Sequence, residues 1–150
     1  MTDMYQIRPM TLADYDAVYA LWLASPEMEL NDVDDSREGV ERFLSRNPDT
    51  AWVAEADGRV VGVLLAGSDG RRGYIYHAGV LREYRKRGIG SALVETALEK
   101  LRSMRLTKIG ILVFADNAAG LAFWRKHGFI HRDDLAYCSC VVTEVRRVER

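Results

Sequence analysis

Val80-Leu81-Arg82-Glu83-Tyr84-Arg85-Lys86-Arg87-Gly88-Ile89-Gly90-Ser91 is the stretch that decides how this chain folds. The β-rich run Tyr74-Ile75-Tyr76-His77-Ala78-Gly79-Val80 feeds into it, and from Ile89 the apolar residues Leu93, Val94, Ala97, Leu98, Leu101 and Met104 recur with helical period. A strand therefore ends in a basic, glycine-containing turn that opens directly into a long helix with one face for a sheet. Gly88 and Gly90 let a ligand approach the backbone, the first N–H groups of the helix lack intrahelical acceptors, and the helix dipole adds positive potential. These features predict a phosphate cradle, and Arg85, Lys86 and Arg87 carry charge suited to a pyrophosphate. On composition alone, a solvated basic turn whose glycines serve chain geometry accounts for the same residues. Two phosphate loops are excluded by spelling. A dinucleotide fingerprint needs a third glycine where Ser91, Ala92 and Leu93 stand, and no Gly-Lys-Ser/Thr is present.

Outward from this turn, elements alternate. Tyr5 to Arg8 reads as a short strand, and Leu12, Tyr15, Val18, Tyr19, Trp22 and Leu23 form a helical stripe capped by Thr11 and closed before Pro26. Glu27 to Asp35 is an acidic loop, after which Asp35 or Ser36 caps a second helix ending at Asn47-Pro48. Ala51 to Ala56 and Val60 to Gly67 form a hairpin through Asp57-Gly58. Lys108 to Val113 reads as a strand, Asn117 to His127 as a helix stopped by Gly128, and Leu135 to Val148 as largely strand. No repeat or linker interrupts the order, so residues 1–150 are expected to form a single α/β domain.

Composition narrows the function. Twenty-one Lys and Arg against 22 Asp and Glu give a formal net charge of -1, so no global field draws the chain to nucleic acid or a membrane surface. The Arg71-Arg72 and Arg85 to Arg87 patches lack the interleaved aromatics that stack on bases. No apolar run approaches the ~20 residues that cross a bilayer, and Met1 to Gln6 lacks a secretory pattern, so a cytoplasmic protein is expected. Cys138 and Cys140, one residue apart in a predicted strand, are expected as small core residues on one face, with no disulfide and no metal site.

Arg85-Lys86-Arg87-Gly88-Ile89-Gly90 resembles the Arg/Gln-x-x-Gly-x-Gly/Ala turn of the GCN5-related N-acetyltransferases (GNAT). Asn117-Ala118-Ala119-Gly120-Leu121-Ala122-Phe123-Trp124-Arg125-Lys126-His127-Gly128-Phe129 is similar to that family's later Asn-x-x-Ala-x-x-Phe-Tyr-x-Lys-x-Gly-Phe segment. The resemblance spans nearly the whole chain. It implies a mixed, mostly antiparallel sheet of six to seven strands flanked by four helices, with the fourth and fifth strands splayed apart. Acetyl-CoA would lie in that splay, with backbone groups of Ala78, Gly79 and Val80 on the pantetheine arm and thioester. The N–H groups of Lys86, Arg87, Gly88, Ile89, Gly90 and Ser91 would hold the pyrophosphate, with Arg85 beside them. Asn117 would bond the arm from the other side, a role compatible with capping its own helix. The family implies N-acetyl transfer to a primary amine of a small molecule or peptide, in a monomer or a homodimer.

Transfer to an amine needs a base, an oxyanion donor and an acid for the departing thiolate. Where many relatives have an acidic tyrosine this chain has Trp124, which sits beside the cofactor but cannot give up a proton usefully, and the fifth-strand glutamate position is Leu112. Tyr76 and His77 remain as catalytic candidates. Period two puts Tyr74 and Tyr76 on one face, which the resemblance implies is the acceptor face, and points His77 away with Ile75, as a core histidine, unless a bulge intervenes. The acidic residues Glu27, Glu29, Asp32, Asp34 and Asp35 are either a lure for a cationic amine or a solvated loop. Neither cysteine has a partner base, so direct attack on the thioester is expected. The alternative is a non-catalytic acyl-CoA-binding sensor on the same fold.

Overall fold

The computed structural model describes residues 4–150, so Met1 to Asp3 of the N-terminal stretch lie outside the described residues. Strand β3, Arg59–Ser68, is the axis of the sheet, and the continuous burial of Val61 to Gly67 shows that both of its faces are covered. It pairs with β2, Ala51–Ala56, through a turn in which Asp57 and Gly58 both take positive φ, 53° and 76°. That is the backbone a tight right-twisted hairpin requires. Strand β1, Gln6–Pro9, lies on the far side of β2, and β4, Gly73–Val80, lies on the far side of β3. All these pairs are antiparallel, and β5, Ile109–Ile111, then joins β4 in parallel.

Helix α1, Tyr15–Leu23, follows a 3₁₀ turn over Leu12–Asp14 and, with α2, Arg37–Arg46, covers one face of the sheet. Val18, Leu21 and Trp22 pack there with Val40, Val53, Val63 and Leu65. Ser36 rather than Asp35 caps α2, its Oγ accepting the Gly39 N–H at 3.0 Å. Helix α3, Ile89–Ser103, and α4, Ala118–Lys126, cover the other face, where Ile89, Leu93, Val94, Ala97, Leu101 and Trp124 meet Ala54, Val61, Leu64 and Ile75. At the β1 end, Arg8 holds Asp14 at 2.8 Å and Glu55 at 2.7 Å. The hydrogen bonds from Arg8 keep the buried Asp14 carboxyl below its ordinary range.

The sheet has five strands among the described residues, not six to seven. The expected strand from Leu135 to Val148 reduces to one antiparallel bridge, Asn31 with Arg147, flanked by Asp32 N–H to Arg146 O and Val148 N–H to Leu30 O, each 2.9 Å. Alternation supplied β propensity without a ladder to join, because β5 offers an edge only from Ile109 to Ile111, shorter than the expected run from Lys108 to Val113. Leu135, Tyr137, Val141 and Val142 are consequently exposed, and Cys138 and Cys140 are exposed free thiols rather than core residues.

Candidate active site

A bulge in β4 makes the site. Val63 pairs with Gly79 and Leu65 with Tyr76, so the single β3 residue Leu64 stands opposite both His77 and Ala78. His77 takes φ 47°, a conformation that costs a residue with a Cβ about 1–3 kcal/mol and persists only where neighbours enforce it. Here Trp22 enforces it: its Nε1–H donates to the His77 carbonyl at 3.1 Å, and its ring meets the imidazole edge-on at 5.0 Å. Period two is broken at this point. Ile75 is buried and Tyr76 stands on the opposite face, as alternation predicts, but His77 is turned into the same cleft as Tyr76 instead of into the core.

The cleft is about 510 Å³. On one wall His77 Nε2 lies 2.8 Å from Oδ1 of Asp35, a buried carboxylate whose Oδ2 accepts the Asn31 N–H at 2.8 Å. The Tyr15 hydroxyl fixes the same residue by donating to its backbone carbonyl at 2.7 Å. A carboxylate only accepts, so Nε2 carries the proton and Nδ1 is the basic nitrogen, with no hydrogen-bond partner among the described residues. Tyr76 packs edge-on against Phe43 of α2 at 5.8 Å. Burial, with smaller contributions from Tyr74 and Tyr137, pushes its phenol above the usual tyrosine range, so it holds its proton at neutral pH.

The glycine turn lies beyond the C-terminal end of β4. Gly88 is the N-cap of α3 at φ 84°, and Lys86 precedes it at φ 64°. The first helical bond is Ala92 N–H to Gly88 O at 3.0 Å, leaving the N–H groups of Lys86, Gly88, Ile89, Gly90 and Ser91 without acceptors among the described residues. Gly90 differs from Gly88: its φ is not positive, and a Cβ there would meet the Phe123 ring at 3.4 Å, the edge of ordinary van der Waals contact. Arg85 braces the turn rather than projecting from it, its Nε donating to Val80 O at 3.0 Å and its Nη2 reaching Glu27 at 3.3 Å. Arg87 donates to the Glu83 carbonyl and lies 4.9 Å from the Tyr84 ring centre.

Between cradle and cleft, β4 and β5 part company. Their last pair is Ile75 with Ile111, while β4 runs on to Val80, so the outer edge of Ala78, Gly79 and Val80 has no strand beside it among the described residues. Unpaired donors at the helix start and an unpaired strand edge leading away from them suit a phosphorylated, amide-bearing arm. On α4, Asn117 caps its own helix, its Oδ1 accepting the Gly120 N–H at 2.9 Å. Trp124 is buried, edge-on to Phe123 and Phe129 at 5.1 Å each. Ser91 Oγ lies 3.0 Å from His127 Nε2 and ties α3 to α4. Leu112 lies exposed just past the end of β5.

Each acid of the 27–35 loop has a partner. Glu27 meets Arg85 at 3.3 Å, Glu29 meets Arg147 at 3.9 Å, Asp32 accepts the Arg146 N–H at 2.7 Å, Asp34 accepts from Asn31 at 3.0 Å, and Asp35 holds His77. Trp22 reads as core in the sequence, and Asp35 as a helix cap or one of the loop acids; neither reading pairs them with His77. Among the described residues no group of three or more His, Cys, Asp and Glu is placed to hold a metal ion, and no helix is long and apolar enough to cross a membrane.

Helices on both faces of a mixed sheet, a bulged fourth strand that leaves its neighbour, and a glycine turn opening a helix define an acyltransferase architecture. Residues 15–129 match the Acetyltransferase (GNAT) family, and the chain belongs to it. It is 35% identical over 130 residues to an acetyltransferase of Sodalis glossinidius, covering 87% of this chain and 90% of that one. Among solved structures it is similar to Ard1 from Thermoplasma volcanium, with TM-score 0.75, 23% identity, and 84% and 82% of the two chains covered. It is also similar to the PaiA N-acetyltransferase of Thermoplasma acidophilum in complex with coenzyme A, with TM-score 0.74, 17% identity, and 87% and 92% covered.

Proposed function

We propose that this acetyltransferase carries an acetyl group from acetyl-CoA to a primary amine of a small molecule or peptide by direct attack on the thioester. One observation carries this proposal: the β4 bulge places a carboxylate-held histidine and a protonated tyrosine in one cleft, beside the unpaired edge of Ala78 to Val80. Acetyl-CoA supplies the activated acyl group. The N–H groups from Lys86 to Ser91 bind its pyrophosphate, the Ala78 to Val80 edge aligns the arm, and Asn117 and Trp124 close the α4 side. His77 Nδ1 takes the proton from the amine, directly or through one water, and Asp35 stabilises the imidazolium by accepting from Nε2. Tyr76, its phenol still protonated, donates to the departing sulfur, the part that Trp124 cannot play. Cys138 and Cys140 do not line the cleft, which supports transfer without an acyl-cysteine step.

The partners in this proposal are the amine acceptor and a second copy of the chain. The homodimer is supported by the exposed apolar Leu135, Tyr137, Val141 and Val142, which a second copy would cover. The test is CoA-thiol release and N-acetyl product formation across a panel of alkylamines, amino acids and peptides. Turnover with at least one amine supports the enzyme. Tight acetyl-CoA binding with no thiol released by any amine would point to the sensor.

A further inference from the structure

In the acceptor cleft the charged side chains that lack any partner are of one sign only. Its acids Glu29, Asp34 and Asp35 are all engaged by partners within the chain. Its arginines, Arg42 and Arg46 on α2, line the same cleft and have neither an ion pair nor a hydrogen bond among the described residues. Arg42 and Arg46 are four residues apart, so their side chains share one face of α2 about one turn, ~5.4 Å, from each other. Two guanidinium forks at that spacing suit a planar or tetrahedral oxyanion, which each can meet with paired N–H donors. Phe43, beside Arg42 in sequence, packs on Tyr76, so the anion site adjoins the reacting end of the cleft without coinciding with it.

We propose, resting on the acetyltransferase function above, that the acceptor is an amine that also carries an anionic group several bonds from its nitrogen, held by Arg42 and Arg46. The amine lies at His77 and Tyr76 while the anion is bound at α2. This differs from the reading in which the acidic loop draws a cationic amine, because each of those carboxylates already has a hydrogen-bond or ion-pair partner within the chain.

The experiment compares kcat/KM of the full chain for amines of matched chain length: 5-aminopentanoate, pentylamine and 1,5-diaminopentane, with 3-aminopropyl phosphate to separate phosphate from carboxylate as the anion. The expected result is a preference of about tenfold for an anionic amine over pentylamine, a moderate value because both arginines face solvent. Arg42→Gln/Arg46→Gln should collapse that preference to near unity. Arg42→Glu/Arg46→Glu should turn it toward 1,5-diaminopentane, with acetyl-CoA KM and Tm confirming an intact fold. Equal use of pentylamine and the anionic amines, a wild-type preference for the diamine, or variants that leave the preference in place would overturn the anion site while the acetyltransferase function stands. Failure to turn over any amine would overturn both.

Discussion

The cleft is built at the middle of β4 and the proposed cradle just beyond its C-terminal end, yet they are built in different ways. The proposed cradle is local: its donors are the backbone N–H groups of Lys86, Gly88, Ile89, Gly90 and Ser91, and its geometry follows from Gly88 at positive φ and a helix that begins there. The cleft is assembled across the chain, from His77 on β4, Asp35 forty-two positions earlier and Trp22 fifty-five positions earlier. A backbone site tolerates side-chain change wherever the main chain keeps its path. A site held by three distant side chains fails when any one of them is lost.

The largest effect is expected in the cleft. His77→Gln should lower kcat by about 100- to 10,000-fold, the usual worth of a positioned acid or base, with acetyl-CoA affinity held within a few-fold by isothermal titration. A parallel loss of affinity would mean that the bulge itself had been disturbed and that cradle and cleft are not separable. In the cradle, Gly88→Ala forces a Cβ into the left-handed region at φ 84°, a strain of about 1–2 kcal/mol. If the turn relieves that strain by shifting its N–H groups, acetyl-CoA KM rises about tenfold with kcat for a saturated enzyme little changed, which steady-state kinetics separates.

A smaller effect, about threefold, is expected from Arg85→Ala, because its contacts are half-exposed. Since Arg85 bonds the Val80 carbonyl and Glu27, the loss should be similar for CoA and for a dephosphorylated pantetheine fragment, as expected of a brace. A loss confined to CoA would show that Arg85 leaves its brace to meet phosphate. The smallest effect on catalysis belongs to Asp14→Asn, which lies outside both regions and should cost about 1.5–3 kcal/mol of stability at pH 7, the usual worth of a hydrogen bond to a charged group. The folded Asp14 carboxyl is held below its unfolded range by Arg8, so its contribution is present above about pH 4 and fades as pH falls through the folded value. Urea denaturation of both proteins at pH 7 and pH 3 should show the gap closing in acid.

The same contrast explains what could be read from sequence. Asp57-Gly58, the apolar stripe from Ile89 and Gly88 are local signals, and hairpin, helix and the turn that opens it stand where those residues put them. The bulge was not legible, because alternation along Tyr74 to Val80 carries no trace of the Trp22 N–H that holds the His77 carbonyl. Asp35 was hidden for the same reason: beside Ser36 it looked like a cap, and only the fold brings it to an imidazole. Leu135 to Val148 shows the converse case, a local strand pattern that found almost no ladder.

The most direct test of the whole account mixes the protein with one equivalent of acetyl-CoA, follows free thiol, and then adds an amine that it turns over. If cradle and cleft meet where β4 leaves β5 and transfer is direct, no thiol appears before the amine. One equivalent should then appear with it, matched by one equivalent of N-acetyl product. Thiol released ahead of the amine, with an acetyl adduct on Cys138, Cys140 or any other side chain, would contradict direct transfer through His77 and Tyr76.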